Sequence, residues 1–128
     1  MQRKAPSAFA VLATAALLAA CVAAPSDTSA TRGAALYDAA CAACHGPGGA
    51  GGSAPALTGL AAAPGGFDRV AVMSRIDGYT RRGEGSAMPE FGAALQGETV
   101  LVDTGDGVMT PTPAALVALA RYLETLQE

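Results

Sequence analysis

Cys41, Cys44 and His45 stand together as Cys-Ala-Ala-Cys-His, two thiols three positions apart with an imidazole directly after the second. At the end of a helix, two thiols so spaced can each form a thioether with one vinyl group of a haem. The next residue is then held beneath the iron to donate a ring nitrogen. Three other readings of the same residues stand beside this one. A redox dithiol belongs after a strand in a βαβ unit, whereas this motif ends a helical pattern and runs into glycines. A structural zinc needs four nitrogen or sulfur ligands, but His45 is the only histidine, and of the three cysteines Cys21 is expected to be lipidated, which leaves three ligands. The third is chance occurrence.

The elements around the motif follow from pattern. Ala34, Tyr37 and Cys41 fall at helical intervals over Thr31 to Cys41, with Ser29 or Thr31 as N-cap. Gly33 in the first turns costs about 1 kcal/mol against Ala, so a close approach by another helix is its expected reason. The run Gly-Pro-Gly-Gly-Ala-Gly-Gly from Gly46 to Gly52 is a loop. Asp68 caps a second helix, ended by Gly78. Glu84 to Phe91 reads as extended, because Pro89 has no N–H and biases Met88 away from helical angles. Thr99 to Asp103, then Thr-Gly-Asp-Gly, then Val108 and Met109, suggest a hairpin near 97–110. The Asp103 and Asp106 pair lacks the spaced ligands of a calcium loop and reads as a turn. Thr112 as N-cap and Pro113 at the first helical position open a last amphipathic helix, with Leu116, Leu119, Ala120, Leu123 and Leu126 on one face.

Composition adds a constraint. Of 128 residues, 31 are Ala and 16 Gly, there is no Trp, and aromatics make up 5%. Such a chain has few large side chains with which to fill a core, so a cofactor is expected to supply the missing volume. Arg3 and Lys4 precede an apolar run from Ala8 to Ala20, which fits a secretory signal and is too short to span a bilayer. The run ends in Leu18-Ala19-Ala20-Cys21, which resembles the bacterial lipoprotein box. That likeness implies a signal over 1–20, lipidation of Cys21, a flexible tether over 21–30 and a folded domain over 31–128. Cleavage without lipidation and an uncleaved anchor are the alternatives. Beyond Cys21 six arginines face all 11 acids, a net charge of −5. No basic footprint for nucleic acid is present, and the acidic surface is expected to meet partners with a basic docking face.

The segments Gly33-Ala-Ala-Leu36-Tyr37, Cys41 to Gly46, Pro55 to Leu60, Met88-Pro89-Glu90-Phe91 and Ala120-Arg121-Tyr122-Leu123 together resemble small class I, monohaem c-type cytochromes over about Thr31 to Leu126. The resemblance implies a mainly α fold in which the first and last helices cross over one covalent haem c, with Gly33 against Tyr122. The hairpin is an insertion in that pattern. It also implies that the Pro55 carbonyl accepts a hydrogen bond from the iron-bound His45, which would fix the tautomer and raise ligand basicity. Phe91, Leu57, Leu60, Ile76 and Tyr79 are expected near the porphyrin.

The sixth ligand separates the functional readings. Met73 lies on a predicted helix as core, Met109 follows the hairpin, and Met88 opens the extended Met-Pro segment. Met88 is the expected axial partner of His45, with Met109 as runner-up. Ligation on both sides leaves no position for a substrate, so the chain is expected to be a membrane-tethered periplasmic carrier of single electrons, not an enzyme. Its partners would be redox proteins and, through the lipid, a membrane. The alternatives are a haem subunit of a larger oxidoreductase and a small peroxidase or gas sensor with an open sixth position. Arg81 and Arg82 either border the haem edge or are solvated.

Overall fold

The computed structural model describes residues 26–81 and 87–128, with residue 81 through its backbone only. Cys21, the leader, Arg82 and the side chain of Arg81 lie outside the described residues. Helix α1 spans Ala30–Ala40 and α2 spans Ala42–His45; α3 spans Arg69–Asp77. Strands β1 (Thr99–Asp103) and β2 (Met109–Pro113) form a two-stranded antiparallel sheet, and α4 covers Ala114–Thr125. Short 3-10 turns occupy Pro47–Gly49, Leu60–Ala62 and Tyr79–Arg81. The architecture is mixed helical with one small sheet.

Ser29 caps α1, its hydroxyl accepting from the Arg32 amide at 3.2 Å. The helix thus opens one residue before the expected start. Arg32 and Arg121 reach back to the segment ahead of it: Arg32 Nη1 donates to the Asp27 carbonyl at 2.6 Å, and Arg121 Nη1 to Thr28 Oγ1 at 2.8 Å. The last residues of the expected tether are therefore bonded into the folded unit. Asp68 caps α3 by accepting from the Ala71 amide at 2.9 Å, and Gly78 closes it in the left-handed conformation at φ 101°.

The core is built on α4. Leu116, Val117, Leu119, Ala120 and Leu123 are buried together with Tyr37 of α1 and Met73 and Ile76 of α3. Met73 is thus a packing residue. Helices α1 and α4 approach closely at Gly33, where a Cβ atom would lie 2.0 Å from the Ala118 carbonyl oxygen and 2.8 Å from Tyr122 Cβ. No side chain larger than hydrogen fits between the two backbones. Arg69 and Glu124 pair across α3 and α4. Both side chains are partly in water, so the pair contributes at most about 1 kcal/mol.

The hairpin corrects the expected opening of the last helix. β2 runs to Pro113, Thr112 pairs with Val100, and the Ala114 amide donates to the Glu98 carbonyl at 2.8 Å. Thr112 therefore stays in the ladder and its hydroxyl donates to the Thr110 carbonyl at 3.1 Å instead of capping α4. Pro113 is the N-cap and Ala114 the first helical residue. Pro111 and Pro113 share one parity of the strand, and the edges of a two-stranded ribbon leave their missing N–H groups without a rung to break.

Candidate functional site

The motif lies on a continuous helical path. The Cys41 amide donates to the Tyr37 carbonyl at 2.8 Å and the His45 amide to the Cys41 carbonyl at 2.9 Å. Tyr37, Cys41 and His45 are thus successive i, i+4 neighbours and share one face. All three line a cleft to which Leu57, Leu60, Ile76 of α3, Leu119 of α4 and Met88 also contribute. Cys44, at i+3 from Cys41, is exposed.

Gly46 ends the helix at φ 76°, and a Cβ there would lie 2.4 Å from the Gly51 carbonyl oxygen. The chain then folds back over the helix end, where carbonyl groups lack intrahelical partners. The Gly51 amide donates to the His45 carbonyl at 2.7 Å and the Ala54 amide to the Cys44 carbonyl at 3.0 Å. This return brings the Pro55 carbonyl oxygen to 2.8 Å from His45 Nδ1. A carbonyl only accepts, so Nδ1 carries the proton and Nε2 is the nitrogen with a lone pair for a metal.

Tyr37 holds the same loop from below. Fully buried, it donates its hydroxyl to the Gly46 carbonyl at 2.7 Å, and its ring meets that of Tyr122 at a centroid distance of 5.3 Å. Burial pushes the Tyr37 phenol above its ordinary value. Burial also raises the Cys41 thiol, with Cys44 adding to the effect. A raised thiol is the reverse of the low-pKa attacking cysteine of a dithiol oxidoreductase. Among the described residues no group of three or more His, Cys, Asp or Glu is arranged to hold a metal ion, so the donors do not form a zinc site of their own.

The structure sorts the remaining expected residues. Leu57, Leu60 and Ile76 line the cleft. Phe91 does not: its amide bonds to the Ile76 carbonyl at 3.0 Å, and its side chain packs on the core. Tyr79 is 66% exposed and borders a separate groove between α3 and the hairpin. Met109, on β2, is 53% exposed and is not part of the cleft wall. Arg75 lines the cleft, although the sequence singled out only Arg81 and Arg82 among the arginines of this region. Its i+1 relation to Ile76 gave no sign of this, because a long side chain can lay its stem along an apolar wall while its charge stays at the rim. Tyr37 was legible as a helical position but not as the anchor of Gly46.

The donor set fits a c-type haem: two thiols three positions apart, an imidazole with a fixed tautomer, and the Met88 thioether on the same cleft as Cys41 and His45. Residues 28–101 match the family described as cytochrome C oxidase, cbb3-type, subunit III. No curated protein and no solved structure matches the chain.

Proposed function

The chain belongs to the cbb3-type cytochrome c oxidase subunit III family, a c-type cytochrome domain serving haem-based electron transfer, and from that premise we propose that it is a one-electron carrier with a single six-coordinate haem c. Cys41 and Cys44 would hold the group covalently, His45 Nε2 would ligate the iron from one side and Met88 sulfur from the other. Bound there, the haem supplies a metal that alternates between ferrous and ferric states.

The observation that carries this reading is the meeting of Cys41, His45 and Met88 on one cleft. The exposure of Met109 on the hairpin supports Met88 as the thioether ligand. The residues of the chain have defined tasks. Pro55 fixes the His45 ring and makes it a stronger donor. The apolar wall excludes water from the iron, and a soft thioether favours the reduced state. A site plugged on both sides by the protein turns over no substrate, which weighs against a peroxidase or a gas sensor.

The fold then reads as a class I cytochrome in which α1 and α4 cross at Gly33 and the hairpin is an addition. We place the carrier in the periplasm, tethered by lipid on Cys21, where its acidic surface meets basic redox partners. No helix among the described residues is long and apolar enough to cross a membrane. The family description names an oxidase subunit, which favours a second reading as a haem subunit of a larger complex. Co-purification after mild detergent extraction separates a subunit from a free shuttle.

The deciding experiment is a haem stain and a reduced-minus-oxidised spectrum with potentiometric titration, on protein matured in a host equipped to attach haem. The expected result is covalent haem, a low-spin spectrum and the weak near-infrared band of thioether ligation. Colourless protein overturns the reading.

A further inference from the structure

Gln127 follows α4 and is half-buried, and every hydrogen of its side-chain amide is engaged. Oε1 accepts from the Ala61 amide at 3.1 Å, while Nε2 donates to the Leu57 carbonyl at 2.7 Å and to the Leu123 carbonyl at 2.8 Å. One side chain therefore spans the stretch Leu57 to Ala61 and ties both of its ends to the last turn of α4. Within that stretch lie Leu57 and Leu60, which form one wall of the cleft. Just ahead of it lies Pro55, the acceptor of His45.

The stretch has little of its own to hold it. Thr58, Gly59, Ala61, Ala62 and Ala63 offer small side chains, and Thr58 and Gly59 are exposed. Its remaining backbone bonds run from the Leu57 amide to the Gly49 carbonyl at 2.8 Å and, within the turn, from the Ala62 amide to the Gly59 carbonyl at 3.2 Å. The polar connection to the helical core passes through Gln127.

We propose that Gln127 is a positioning residue that clasps the Leu57–Leu60 wall onto α4, keeps water from the histidine side of the site and so holds the reduction potential up. The inference rests on the reading of the cleft as a haem site. The shell around a metal controls solvent access and local dielectric, and through them the potential.

The test uses haem-loaded protein carrying Gln127→Met, which keeps the length of the side chain and removes all three bonds, beside Glu124→Gln. The second variant removes the ion pair with Arg69 on the same helix and leaves the wall alone. Covalent haem content, reduction potential, thermal midpoint and amide exchange at Ala61 are measured for each. The expected result for Gln127→Met is full haem content, a lowered potential and exchange at Ala61 about tenfold faster, the equivalent of one lost hydrogen bond. Glu124→Gln is expected to leave potential and exchange as they are. Unchanged exchange at Ala61 overturns the clasp, and faster exchange with an unmoved potential overturns its effect on the iron. An equal drop in potential in Glu124→Gln assigns the effect to general loosening of α4 and overturns it as well. Wild-type protein without covalent haem defeats the underlying reading, a result visible before any variant is compared.

Discussion

His45 Nδ1 and the Pro55 carbonyl oxygen are 2.8 Å apart, joined across a loop rich in glycine that has only small side chains with which to hold itself. The acceptor is delivered mainly by the backbone: the loop is bonded to the carbonyls of Cys44 and His45, and the Tyr37 hydroxyl holds its first residue. Because the acceptor is a main-chain oxygen, Pro55→Ala keeps it. The variant is expected to retain its reduction potential and to lose only about 1 kcal/mol from greater freedom of the unfolded chain. Potentiometry with thermal unfolding checks both, and a large fall in potential would mean that the proline ring itself orients the histidine.

Met88→Ala is expected to leave haem attached while lowering the potential and admitting carbon monoxide to the ferrous iron. Optical titration with carbon monoxide measures this directly. An unchanged potential would transfer the ligand role to Met109.

Gly33→Ala sets two effects of opposite sign against each other. Helix propensity favours Ala by about 1 kcal/mol, but the new Cβ would meet the Ala118 carbonyl oxygen at 2.0 Å. Two helix backbones must then separate, and overpacking of that kind costs about 1–3 kcal/mol or more. Net destabilisation is expected, read as a fall in thermal midpoint of roughly 4–8 °C for each kcal/mol lost. A midpoint at or above the wild-type value would contradict the close approach of α1 and α4.

Tyr37→Phe removes one of the two donors to the Gly46 carbonyl, which keeps its bond from the Gly49 amide, at a cost of about 0.5–1.5 kcal/mol. The wild-type phenol also carries a pH signature. Its folded pKa lies above the unfolded value near 10, so the folded state holds the proton more tightly. That stability is fully present below about pH 10 and is lost as pH rises through the folded value. Denaturant midpoints measured from pH 8 to 11 should fall above pH 10 in the wild type, and less steeply in Tyr37→Phe.

Cys21→Ser is expected to move the protein from the membrane fraction to the soluble periplasmic fraction without changing its spectrum. Fractionation with a haem stain reads the outcome, and membrane retention of the variant would argue for an anchor other than lipid.

The sequence by itself determined the Cys41-Cys44-His45 spacing, the α1 and α3 helices with the Asp68 cap and with Ser29 as one of two candidate caps, and the small-residue position in α1, because these are encoded in spacings of a few residues. Its many alanines and glycines also raised the expectation of a cofactor that adds to the core. It misjudged the start of α4, where local cap signals at Thr112 lost to pairing with β1, and it placed Tyr79 and Phe91 around a cleft that neither lines. Those outcomes, together with the place of Arg75 on the cleft and the bonds of Gln127, required the tertiary structure. They depend on which residues far apart along the chain are brought within hydrogen-bonding or van der Waals reach, and short-range periodicity carries no record of that distance.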